Sequence, residues 1–208
     1  MYLGLTRPLS TFALMLALAL PLAAQNRAAG VQTAMARARH LQHGINSSDW
    51  FAQSSDYSTA HINQFIDAQD IALIAHLGFD HVRIAVDPVP LERDPRDSDG
   101  LNAEFIGSLD RAVDSILAGG LTVLIDLHPE DIYKQPLRNS NDATDRLAML
   151  WRKFAAHYAN RDPDRVFFEI LNEPGVSDRH RWAEIQTRIA AAIRGAAQHS
   201  HRRGPKLF

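Results

Sequence analysis

The sequence predicts an α/β protein built on a parallel sheet. Three observations carry this reading. From residue 41 onward, strand-like and helix-like segments alternate. Residues 121–127 and 166–171 are almost unbroken apolar runs, as in strands covered by helices. Each polar loop after a strand is long and each loop before one is short. In parallel α/β folds the chemistry sits on the loops that follow strands.

The elements follow in order. Residues 41–46 form a short candidate strand with Gly44 inside it. Residues 60–77 carry Ile62, Phe65, Ile66, Leu73, Ile74 and Leu77 on one helical stripe. Gly78 closes that helix, because glycine takes the left-handed C-cap conformation cheaply. Residues 82–86 form the second strand, and residues 87–100 a long polar loop. Phe105, Ile106, Leu109, Val113, Ile116 and Leu117 mark the next helix, closed by Gly119 and Gly120. The strand at 121–127 leads through a polar loop, 129–141, to a helix carrying Leu147, Leu150, Trp151, Phe154 and Tyr158. After the strand at 166–171, Trp182, Ile185, Ile189 and Ile193 line the last helix. Trp151 and Trp182 fall on core stripes and read as packing.

Composition excludes several classes. The 208 residues fit one domain, whereas a complete (β/α)8 barrel takes about 250. With 22 basic and 24 acidic side chains the formal charge is −2, so no nucleic-acid partner is expected. The absence of cysteine removes disulfides, thiol nucleophiles and cysteine-ligated zinc.

Residues 1–24 read as a secretory signal peptide: Arg7, then an apolar run from Phe12 to Leu20, then small residues before Gln25. The alternative is an uncleaved anchor, but the apolar stretch 9–24 falls short of the roughly 20 residues of a span. Residues 25–40, rich in Ala and Arg, read as a mobile leader, and residues 41–208 as the domain. A secreted or periplasmic protein without stable membrane association is expected.

Candidate site residues lie at strand ends. Arg83 is a charge among apolar neighbours and needs a carboxylate or a ligand. Asp126 and Glu169 are candidate structural partners for it, turned either toward Arg83 or into the interior. Glu173 follows the last strand, where partial shielding raises a carboxyl pKa into the range of a general acid. Pro174 restricts the Glu173 backbone. Asn172 both donates and accepts, which suits a sugar hydroxyl. His128 stands one residue past its strand, either as a structural group or as a ligand. Trp50 is either a sugar-stacking surface or core.

Taken in order, Gly44-Ile-Asn46, Gly78-Phe-Asp-His-Val-Arg-Ile84, Val123-Leu-Ile-Asp-Leu-His128 and Phe168-Glu-Ile-Leu-Asn-Glu-Pro174 resemble the N-terminal half of glycoside hydrolase family 5, the cellulase family. The resemblance spans about residues 41–200. It implies a (β/α)8 TIM barrel fold and retaining cleavage of a β-linked polysaccharide such as cellulose, mannan or another β-glucan. Glu173 would be the acid/base. Asn172 would hold the 2-hydroxyl of the sugar being cleaved, and His128 would contact the same sugar. Arg83 would position the nucleophilic carboxylate. No metal or cofactor is required for this chemistry. The family nucleophile is a glutamate ending the seventh strand, whereas four strand–helix units are legible here. The expectation is therefore an incomplete barrel that stops before its nucleophile. Two alternatives stand beside it: a carbohydrate-binding remnant without activity, and a metal-dependent α/β hydrolase using Asp126, His128 and Glu173.

Overall fold

A computed structural model describes Ala24, residues 28–92 and residues 100–199. The chain divides into two units, Met1–Arg39 and His40–Phe208. In the first, residues 28–38 form a helix, α1, in which no side chain is buried. The expected leader is therefore helical over this stretch, because its Ala, Arg, Gln and Met residues are strong helix formers. The expected signal peptide, apart from Ala24, lies outside the described residues.

In the second unit the order is β1 (Gly44–Phe51), α2 (Thr59–Phe65), α3 (Ala68–His76), β2 (His81–Val86), α4 (Pro88–Leu91), α5 (Ala103–Ala118), β3 (Thr122–Leu127), α6 (Asp131–Lys134), a 3-10 turn (Gln135–Arg138), α7 (Asn141–His157), β4 (Val166–Glu169) and α8 (Arg179–His199). The four strands pair in sequence order, β1-β2-β3-β4, and all parallel. Parallel neighbours need a crossover, and helices supply each one.

The single helix expected over 60–77 is two. Ser58 caps α2, its hydroxyl accepting from the His61 amide. Asp67 caps α3 and forms a reciprocal capping box with Asp70. An N-cap residue has extended backbone, so the chain breaks at Ile66 and Asp67 although the apolar stripe runs on. β1 starts later and runs further than expected. Its pairing with β2 is irregular between Ser47 and Phe51, where Asp49 takes φ 60°.

Strand alternation sorts the sheet into two faces. Val82, Ile84, Val86, Val123, Ile125, Leu127, Val166 and Phe168 join the helices in one apolar core. The other face carries Arg83, Leu124, Asp126, Phe167 and Glu169. Register then sets neighbours on that face. Asn46 lies opposite Arg83, and Ala85, Asp126 and Glu169 lie opposite one another in turn. A small alanine beside two carboxylates leaves room for the Arg83 side chain to reach them.

Candidate active site

The residues just past the strands are fixed by backbone hydrogen bonds that continue the ladders. Asp87 N–H donates to Phe51 O at 2.8 Å, His128 N–H to Val86 O at 2.8 Å, and Asn172 N–H to Leu127 O at 2.8 Å. Each strand thus holds a residue of the next strand's exit loop: the first after β2 and β3, the third after β4.

Arg83 sits at the centre of the polar face. Its Nε donates to Glu169 Oε2 at 2.7 Å and its Nη2 to Glu169 Oε1 at 2.8 Å, a two-pronged pair. Nη1 donates to Asn46 Oδ1 at 2.8 Å, and Nη2 to Asn172 Oδ1 at 3.1 Å. Asp126 Oδ2 lies 2.8 Å from Nη2 as an ion pair. Both carboxylates turn toward Arg83. The hydrogen bond to Glu169 raises the Arg83 pKa, keeping it charged.

Asp126 is fully buried. Burial, and next the Glu169 charge, push its carboxyl up to about 8, while Arg83 and Lys134 pull the other way. Its Oδ1 has no partner among the described residues. His128 Nδ1 lies 2.8 Å from Asp126 Oδ2, and His128 Nε2 lies 3.2 Å from Asn172 Nδ2. Burial, then the charges of Arg83 and Lys134, lower the His128 pKa, so the ring is neutral near pH 7.

Glu173 is exposed, with φ 40°. Two expectations are corrected here. The partial shielding expected of this carboxyl is not present, because the chain turns off the sheet straight after Asn172. The residue before Pro174 takes the left-handed region rather than the extended backbone that proline favours. Such strain clusters at functional sites.

Trp50 is also corrected. It is 3% exposed, packs on Phe51 with ring centroids 4.9 Å apart, and donates its indole N–H to Ile62 O at 2.7 Å. A ring so enclosed is core and offers no face to a sugar. The structure thus brings together Arg83, His128 and Asn172, places Glu173 next to them in the chain, and leaves Trp50 out. The metal alternative meets a different geometry. Asp126 and His128 are turned to each other, and among the described residues no three His, Asp or Glu side chains converge as a metal site.

Other polar groups on these exit loops were not singled out from sequence. Asp87 is buried, accepts from Val89 N–H at 2.9 Å and from the Tyr57 hydroxyl at 3.1 Å, and burial raises its pKa. Its signal was available, since it follows β2 as His128 follows β3. Lys134 is 6% exposed and pairs with Asp131 at 3.1 Å. A lysine in a polar loop gives no sign of such burial.

The cellulase (glycosyl hydrolase family 5) pattern matches residues 44–202. The chain belongs to that family. It is 31% identical over 157 residues to Endoglucanase C of Acetivibrio thermocellus, covering 73% of this chain and 45% of that protein. It is 30% identical over 175 residues to Cellodextrinase A of Ruminococcus flavefaciens, covering 78% of this chain and 49% of that one. The chain thus spans about half the length of these curated relatives. Among solved structures, endoglucanase Cel5A of Thermotoga maritima superposes with a TM-score of 0.64 at 25% identity, over 77% of this chain and 50% of its own. The tri-modular endo-β-1,4-glucanase B of Bacillus halodurans gives 0.68 at 22% identity, over 83% of this chain and 34% of its own. The four parallel strands and their helices correspond to an incomplete (β/α)8 barrel of this family.

Proposed function

We propose that the ends of β2, β3 and β4 form the acid/base half of the active site of a secreted, retaining β-glycanase acting on cellulose-type β-glucan. One observation carries this reading: Glu173 projects, exposed, from a left-handed turn directly after Asn172, which is held by Arg83 and His128. The names of the endoglucanase and cellodextrinase relatives support a β-glucan over mannan.

In this reading Glu173 protonates the glycosidic oxygen as the bond to the leaving sugar breaks. After the leaving sugar departs, its carboxylate takes a proton from the water that releases the glycosyl-enzyme. Asn172 donates to the 2-hydroxyl of the sugar being cleaved, and His128 lines the same sugar. A second carboxylate must stand roughly 5–5.5 Å from Glu173 on the other side of the anomeric carbon. Asp126 and Glu169 are committed to Arg83, so the nucleophile comes from beyond the four described strands. Arg83 fixes the floor of the site and keeps a positive charge beside that nucleophile. Polymeric substrate lies outside the cell, which agrees with the export signal read in residues 1–24. N-terminal sequencing of the exported protein should give Gln25 as its first residue.

The test joins this chain to the half of Endoglucanase C that it does not span. The folded fusion should release cello-oligosaccharides from soluble β-glucan with retained anomeric configuration. Glu173→Gln should remove most of this turnover, but less of the first step on an activated aryl cellobioside, which needs no protonation. A folded fusion whose turnover ignores Glu173→Gln would sink the assignment. Binding of cellohexaose without any turnover would favour a carbohydrate-binding role.

A further inference from the structure

The polar network past β3 and β4 has a direction that can be read from its heavy atoms. Arg83 can only donate, so the atom of Asn172 facing its Nη2 at 3.1 Å is the amide oxygen. The other end of that amide is Nδ2, a donor, and it faces His128 Nε2 at 3.2 Å. Nε2 must then accept, so the single hydrogen of the neutral ring is on Nδ1. That hydrogen points at Asp126 Oδ2, 2.8 Å away. Every contact from Arg83 through Asn172 and His128 to Asp126 is satisfied in this one arrangement. An imidazole with no acceptor at Nδ1 is free to carry its hydrogen on Nε2 instead, where it would meet the Asn172 amide hydrogen head-on. The partner of one ring nitrogen decides what the other does.

We propose that Asp126 is the positioning residue of this site: it holds His128 in its Nδ1–H form, and through His128 it holds the Asn172 amide with one Nδ2 hydrogen left to donate to substrate. Among the described residues that second hydrogen has no partner. The consequence for sugar binding rests on the glycosidase reading, but the proton arrangement does not. Oδ2 serves whether Asp126 is ionised or protonated, because a proton on the acid takes Oδ1, the oxygen without a partner. Arg83 keeps its two-pronged pair with Glu169 in either case. Asp126 therefore touches no substrate itself; it acts through His128 and Asn172, and beside them through its ion pair with Arg83.

The test is a long-range 1H–15N spectrum of the histidine rings of the 15N-labelled chain near pH 7.5, with His128 assigned through His128→Gln. The wild-type ring should carry its hydrogen on Nδ1. Asp126→Leu should lose this preference and populate Nε2–H. Asp126→Asn should keep it, because the amide oxygen replaces Oδ2 and the amide nitrogen takes the empty Oδ1 position. A wild-type ring with Nε2–H overturns the proposal outright, as does an unchanged ring in Asp126→Leu. If Asp126→Leu does not fold, the wild-type and Asp126→Asn spectra decide, and Nε2–H in either overturns it. Cellohexaose titration of the same samples separates this from the functional reading. Asp126→Leu should weaken binding about five- to tenfold, the loss of roughly one hydrogen bond, and Asp126→Asn should restore it. An Nδ1–H ring together with a folded fusion to Endoglucanase C that binds no cello-oligosaccharide leaves the positioning role intact and removes the glycosidase reading.

Discussion

Replacing Arg83 tests the central claim, that one guanidinium neutralises the polar face of the sheet. Arg83→Met keeps the bulk of the stem and removes the charge. The Arg83 side chain is 20% exposed and that of Asp126 0%, so water replaces little of the lost interaction there. Glu169, at 35%, is better hydrated and contributes less. Above pH 8, where Asp126 is ionised, removing one partner of this buried pair costs about 3–5 kcal/mol. Screening at Glu169 puts Arg83→Met at the lower end, about 3 kcal/mol, or roughly a hundredfold in the folding equilibrium. At a urea dependence of about 2 kcal/mol per molar, the unfolding midpoint should fall by about 1.5 M. Arg83→Lys keeps the charge but not the fork, and should lose about half as much. The second arm is decisive. Adding Asp126→Leu to Arg83→Met removes the stranded carboxyl and should recover about 1–2 kcal/mol. A midpoint for Arg83→Met within error of wild type, or strictly additive losses in the double variant, would refute the reasoning.

Three further expectations follow from the same geometry. Asp126 binds its proton more tightly folded than unfolded, so the folded chain carries more protons between about pH 4 and 8. Its contribution to stability is therefore present at low pH and lost as pH rises through that window. Urea midpoints at pH 5 and pH 8 should show this loss in wild type and less of it in Asp126→Asn; equal slopes would contradict the burial of this carboxyl. Trp50→Phe removes the bond to Ile62 O and part of a packed ring, and should cost about 1–2 kcal/mol in thermal unfolding without changing cellohexaose affinity. Lost affinity at unchanged stability would restore Trp50 to the sugar site. Glu173 at positive φ is strained, so Glu173→Gly should be about 1 kcal/mol more stable than Glu173→Ala, which removes the same carboxyl but keeps the Cβ clash; the reverse order would mean that the turn is unstrained.

The strands and most helices were legible because their apolar periods are long and regular, as in 121–127 and 103–118. The break at Ile66 was not, because an apolar stripe says nothing of the caps, and Asp67-Ala-Gln-Asp70 was masked by hydrophobic residues on both sides. Site legibility followed the same division. Arg83 announced itself as a charge inside an apolar strand, and its need for carboxylates pointed to Asp126 and Glu169. Which of them faces it depends on register, and register is a property of two strands at once. Trp50 shows the limit from the other side. An aromatic after a strand has the same sequence signature whether it faces a cleft or the core, and only the irregularity around Asp49 decides between them.

Donor counting at Arg83 links the fold to the chemistry proposed for it. A guanidinium has five N–H donors. Nε gives one to Glu169, Nη2 gives its two to Glu169 and Asn172, and Nη1 gives one to Asn46. One Nη1 hydrogen is left among the described residues. A nucleophilic carboxylate arriving from a later strand would therefore take a single N–H from Arg83, and a second only by displacing Asn46, which is exposed at β1. Asn46 is thus a competitor for the nucleophile's place. In the completed barrel Asn46→Ala would leave both Nη1 hydrogens to the nucleophile and strengthen its charged form. The fusion enzyme carrying Asn46→Ala should lower the acidic limb of its pH–rate profile, where the nucleophile is protonated. An acidic limb that stays in place would mean that the nucleophile does not share Nη1 with Asn46.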